Sequence, residues 1–152
     1  MILHAVVATA AITLGGFNLA RMKRGDRLHK AVGRTWSILM LTTSVSAFFI
    51  GGYDSVLSIA LHALAAWTII SIISGVYFAR KGNVAAHKGY MIGSYLGLIG
   101  AFMGVVVFPM RRIPTWFDAY PLQMMAIALT IIIASWLFIF YLSRRTSLKS
   151  SK

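Results

Sequence analysis

Four histidines carry whatever chemistry this chain can do. Leu3-His4-Ala5 recurs as Leu61-His62-Ala63, and His29-Lys30 recurs as His87-Lys88, each 58 positions later. They are the only histidines among 152 residues, and there is no cysteine. Without thiolates there is no iron–sulfur site and no disulfide framework. A two-histidine set with no nearby carboxylate is incomplete for zinc. Two neutral imidazoles facing each other from opposed helices are what a bis-histidine porphyrin iron requires. A histidine frame used twice in register points to paired sites of that kind.

The elements that must position these histidines are membrane spans. Hydrophobic residues make up 59% of the chain and charged residues 12%, with a mean hydropathy of +0.78. A soluble domain of this length needs a more polar surface. A helix crosses the hydrocarbon core with roughly 20 apolar residues. Five segments qualify, at about Met1–Ala20, Thr35–Tyr53, Ser55–Ala79, Gly89–Met110 and Ala119–Leu142. The first lacks a basic region ahead of its apolar run, so it reads as a mature span rather than a signal peptide. Residues 143–152 are polar and read as a disordered cytoplasmic tail.

Charge sets the expected orientation. Alternating the spans puts Arg21, Lys23, Arg24, Arg27, Lys30, Arg34, Arg80, Lys81, Lys88, Arg144, Arg145, Lys149 and Lys152 on one side. The other side holds only Arg111 and Arg112. This places the N-terminus outside and the C-terminus in the cytoplasm. A bacterial inner membrane, with anionic lipid on its cytoplasmic face, accounts for the net charge of +12. No motif accompanies the charge that would suggest nucleic acid.

The fold expected is all-α and integral to the membrane. Two repeated helical hairpins, residues 1–53 and 55–110, form a four-helix bundle, with the helix over 119–142 packed outside and residues 1–142 making one domain. Both turns carry a Gly-Asp or Gly-Asn pair, Gly25-Asp26 and Gly82-Asn83, with Asp26 and Asn83 as N-caps. His4 lies 17 residues before Arg21, and His62 lies 18 before Arg80. At 1.5 Å per residue, both sit roughly 25–27 Å above the inner boundary. His29 and His87 begin the returning helices at the inner interface. Small residues run below His4 (Ala8, Ala11, Gly15, Asn18) and above His87 (Ser94, Gly97, Ala101, Gly104). They admit either a porphyrin or a neighbouring helix, and Gly89, Gly93 and Gly97 form a row suited to helix packing. The faces below His62 (Ile69, Ile73) and above His29 (Trp36, Met40) read as bulkier.

The segment from Phe78-Ala79-Arg80 to His87-Lys88-Gly89-Tyr90-Met91, continuing to Pro109-Met110-Arg111-Arg112, resembles an uncharacterised family of small bacterial predicted membrane proteins. The first-half Gly25-Asp26 and His29-Lys30-Ala31-Val32-Gly33-Arg34 fit the same pattern. That family implies no activity. At greater distance, four helices with a histidine pair at each face are similar to di-haem transmembrane b-type cytochromes. The chain departs from them in that His29 and His87 stand at the very start of their helices.

The function expected is a b-type haem protein that passes electrons across or within the membrane. His4 with His62, and His29 with His87, would hold one or two haems b. Arg111 and Arg112 would face the haem carboxylates or an anionic donor. A quinol or small reductant would be the partner. Two other readings stand beside this one. The chain could be a non-catalytic subunit or assembly factor of a larger respiratory-type membrane complex, or a homodimer, with structural histidines. It could instead be a small transporter component, though it lacks carboxylates inside its spans.

Overall fold

The computed structural model describes residues 2–21, 25–50, 52, 55–107 and 119–148, with side chains except at 105–107 and 147–148. Among these residues the chain is all helix, in the order α1 (Ile2–Ala20), α2 (Arg27–Ala47), α3 (Val56–Arg80), α4 (Val84–Val107) and α5 (Pro121–Leu148). Three of them, α1, α3 and α5, are long and apolar enough within the described residues to cross a membrane. Large apolar side chains face outward along them, among them Ile59, Trp67, Ile70 and Ile73 on α3. A water-soluble fold would not leave such a surface open.

The turns are built as their sequences demand. Gly25 and Gly82 take φ of +80° and +76°, a region that costs other residues steric strain. Gly82 closes α3 in a Schellman arrangement: Asn83 N–H donates to the Phe78 carbonyl at 3.0 Å and Gly82 N–H to the Ala79 carbonyl at 3.3 Å. The next residue in each turn then caps the following helix. Asp26 Oδ1 accepts from His29 N–H at 2.7 Å, and Asn83 Oδ1 accepts from Ala86 N–H at 3.1 Å. Arg21 clamps Asp26 with two bonds, at 3.1 and 2.7 Å. Pro121 is the first residue of α5, where a missing N–H costs nothing.

Three boundaries extend beyond the hydropathy reading, and the end of α2 falls short of it. α2 starts at Arg27, eight residues before Thr35, and ends at Ala47. α4 starts five residues before Gly89. α5 runs six residues beyond Leu142 into the segment expected to be a disordered tail. The reason is common to all three. Hydropathy reports immersion in lipid, whereas Arg, Lys and Leu are all good helix formers. In α5 the Arg144 guanidinium lies 4.6 Å from the Phe140 ring centroid, so its stem and charge stay on the helix surface.

The helices α1 to α4 form a ring. α1 packs closely along α2, and α3 along α4; α2 meets α3, and α4 returns to α1. Among the described residues α1 makes no close approach to α3, nor α2 to α4, so these are the diagonals. α5 lies outside, against α1 and α2, with Trp136 edge-on to Phe17. Ala11, Leu14, Val32, Trp36, Met40, Ile72 and Leu98 fill the interior. Hydroxyls on the spans bond to their own helix, such as Thr9 to the Ala5 carbonyl and Thr68 to the Leu64 carbonyl, both at 2.8 Å.

Gly15 marks a close approach of α1 to α2 and α4. A Cβ on Gly15 would lie 2.5 Å from Trp36 Nε1 and 2.7 Å from Tyr95 Cδ2. Among the described residues Gly89 and Gly93 have nothing within 4 Å of that position, and of the glycine row on α4 Gly97 meets another helix, at Leu64 of α3. Gly15→Ala is therefore expected to destabilise the bundle by about 1–3 kcal/mol through overpacking. Gly93→Ala should be neutral, or stabilising by up to about 1 kcal/mol from helix propensity. Thermal unfolding of the two variants in detergent reads the opposite signs.

The α1–α2 turn yields a second expectation. Asp26→Ala should remove about 1 kcal/mol of capping, with little more from the exposed ion pair. The Arg21 guanidinium holds the Asp26 carboxyl below its ordinary range. A depressed carboxyl pKa contributes stability above the ordinary value, near pH 4, and loses it as pH falls through the lowered one. Asp26→Asn keeps a cap and should flatten that acid limb, measured by amide hydrogen exchange in the turn below about pH 4.

Candidate functional site

The ring leaves a space in the half that holds the start of α1. Its volume is about 230 Å³, and residues of all four helices line it, including both His4 and His62. The two histidines reach it from α1 and α3, which are diagonal partners. The sequence placed them at one level, and the fold brings them to one cavity.

His62 is 7% exposed. Its Nδ1 lies 2.7 Å from the Ser58 carbonyl, one turn earlier in α3. A carbonyl only accepts, so Nδ1 carries the proton, and in the neutral ring Nε2 carries the lone pair. His4 reaches the same state by another route. Its Nδ1 is 2.9 Å from Ser46 Oγ, and the single Ser46 hydroxyl proton goes to the Thr43 carbonyl at 3.0 Å. With its proton on the Thr43 carbonyl, Ser46 Oγ is placed to accept from His4 Nδ1–H, an arrangement that suits a lone pair on Nε2. A metal-bound histidine is usually held this way, with its other nitrogen donating to a fixed acceptor.

The walls suit an apolar ligand with a few polar anchors. Ala5, Ala8, Ala65, Gly97 and Ala101 keep the space open, and Met40, Leu61 and Leu98 make it apolar. Thr43 stands in the wall at 8% exposure, and its Oγ1 has no hydrogen-bond partner. The Phe48 ring centroid is 5.8 Å from that of His62. Ser58 Oγ donates to the Gly52 carbonyl, which ties the α2–α3 connection over the outer end. The expected bulk below His62 is not there. Ile73 is 58% exposed, and neither it nor Ile69 lines the cavity; the residues of α3 that do so after His62 are Leu64, Ala65 and Thr68. On α2, Met40 does line the cavity, while Trp36 lies below it against Gly15.

The inner histidines are placed differently. His29 and His87 stand in the first turns of α2 and α4, the other diagonal pair. His87 Nδ1–H donates to the Gly75 carbonyl of α3 at 2.8 Å. A side chain on Gly75 would collide with Met91, so the carbonyl is reached because Gly75 lets α4 approach. The His29 carbonyl accepts from Asn18 Nδ2 at 3.4 Å. Neither inner histidine lines the cavity shared by the outer pair. Arg111 and Arg112 fall outside the described residues.

Sequence reasoning missed Ser46, Thr43 and Ser58. Ser58 was findable, since a histidine four residues along a helix reaches back to that carbonyl. Ser46 was not, because 42 residues separate it from His4.

No curated protein and no solved structure matches the chain. A family model does: the family described as predicted membrane protein (DUF2306) matches residues 1–142. That span takes in all four histidines, both capped turns and the cavity, and the chain is a member of this family of predicted membrane proteins.

Proposed function

We propose that the chain is a b-type haem protein of the membrane, with His4 and His62 as the axial ligands of an outer haem. The observation that carries this reading is the pair of imidazoles on one apolar cavity, both held with Nδ1 protonated and Nε2 bearing the lone pair. Iron ligation needs that tautomer in both rings. With no cysteine in the chain, thioether attachment is impossible, which excludes a c-type haem and accords with haem b. A haem bound there supplies one-electron chemistry. The protein's own part is to orient the two rings through Ser46 and the Ser58 carbonyl, and to keep water from the iron with Met40, Leu61, Leu98 and Phe48.

Under this proposal His29 and His87 form an inner site on the second diagonal. The Nδ1–H of His87 is fixed by the Gly75 carbonyl in the same sense as in the outer pair. The same bond also favours a structural reading of the inner pair, since it fastens α4 to α3. Arg111 and Arg112 are proposed to meet the carboxylates of the outer haem. The partner is a quinol or small reductant.

The proposal extends to topology. All five helices cross, as two like hairpins plus α5, with the N-terminus outside and the tail in the bacterial cytoplasm beside anionic lipid. The matched Gly-Asp and Gly-Asn turns and the basic residues of one face support it. A single cysteine at position 148 in this cysteine-free chain should react only from the cytoplasmic side. Labelling of intact cells by an impermeant maleimide would overturn the orientation.

The chemistry has its own test. Protein purified after haem-replete expression should show a low-spin six-coordinate spectrum with a sharp reduced alpha band. His62→Ala should abolish the outer haem's share of that band, and His29→Ala should leave it. A colourless protein that gives no six-coordinate spectrum on haem addition would leave the structural-subunit reading in its place.

A further inference from the structure

The cavity is walled unevenly. On α2 and α3 most of its lining is buried (Met40, Thr43, Ser44, Ser58, His62, Ala65 and Thr68), with Ala47, Leu61 and Leu64 half-buried. On α1 every lining residue is only half-buried, and on α4 Leu98 is buried, Gly97 and Ala101 are half-buried and Phe102 is exposed. The open side is thus the wall between α1 and α4.

That seam is also the loosest of the four in the ring. Below the cavity it is held by Tyr95, whose ring lies against Gly15 and Gly16 and whose hydroxyl donates to the Ile12 carbonyl at 3.3 Å. Above Tyr95 the two helices face each other through Ala5, Ala8, Gly97 and Ala101, all small. α5 packs on α1 and α2, so among the described residues no helix covers this seam. At the end near the start of α3, Ile50 lines the cavity and Ser58 Oγ holds the Gly52 carbonyl.

Volume makes the open wall consequential. About 230 Å³ is less than the roughly 300–1,000 Å³ of pockets that enclose drug-sized ligands. A macrocycle on His4 and His62 cannot be shut inside it and must extend through the side that is open.

We propose that the α1–α4 wall is a lateral portal. The cavity exchanges its occupant with the bilayer rather than with the outer water, and the occupant is a planar, lipid-soluble macrocycle. This rests on the haem reading for the identity of the occupant, but not for the existence of the portal. Residues that set the portal are Ala8 and Thr9 on one edge and Gly97 and Ala101 on the other, hinged below at Tyr95.

The test uses the full chain reconstituted in liposomes, with haem supplied in a second set of liposomes. Ala8→Phe with Ala101→Phe should slow haem uptake at least tenfold. Leu96→Phe, which puts the same ring on a face of α4 that does not line the cavity, should not slow it. Slowing by Ile50→Trp with none from the alanine pair would overturn the portal and leave the haem site standing. If even the wild type takes up no haem, the haem reading fails, and a second measurement decides the portal. A Thr43→Cys variant should be alkylated by lipid-soluble N-ethylmaleimide and spared by a charged, impermeant maleimide, with the alanine pair slowing alkylation about tenfold. Equal reaction with the charged reagent would overturn the portal whatever the haem result.

Discussion

In hydrocarbon a polar atom has no water to turn to, and each unsatisfied one costs several kcal/mol. Most of this structure follows from that constraint. Backbone groups are absorbed into helices. The hydroxyls of Thr9, Thr13, Thr68 and Thr130 bond to carbonyls one turn back in their own helices. The same pressure acts on the imidazoles. His4, His62 and His87 each commit Nδ1 to an oxygen within the bundle. Satisfying one nitrogen decides which atom is left to do chemistry. Tautomer control here is a by-product of desolvation, before any ligand is considered.

The bundle is tight at one level and open at another, and the difference lies in side-chain size. Where Gly15 faces Trp36 and Tyr95, two large rings fill the space a Cβ would take, and the helices are locked. One to two turns away, toward the start of α1, the lining includes the small residues Ala8, Ala65, Gly97 and Ala101. The aromatic wedge holds the helices apart at a spacing these small residues do not fill. The cavity is the consequence.

The two halves share their turns but not their energetics. In both, a left-handed glycine precedes an N-cap that begins the returning helix. The histidine that follows serves differently in each. In the first half the backbone N–H of His29 is the capped group. In the second the cap falls on Ala86, and the His87 side chain crosses to α3. A one-residue shift relative to the cap rotates a helical side chain by about 100°, from 3.6 residues per turn, and so changes what it meets.

Much of the fold was legible in the residues alone. Five helices, the caps at Asp26 and Asn83, Pro121 at the start of α5, and a common level for His4 and His62 all follow from local chemistry and counting. Those signals are short-range and act on the chain wherever it lies. The rotational phase of each span was not legible, and the face of α3 shows why. Ile69 and Ile73 were read as filling the space below His62, yet Ile73 faces outward and Ala65 and Thr68 face in. In a soluble helix the polar side would have given the phase away. In lipid both sides are apolar, since tails and interior make the same demand. Only packing between helices separates them. The bond from His4 to Ser46 belongs to that same class: it joins residues 42 apart, and no pattern along the chain brings them together until α1 and α2 are laid side by side.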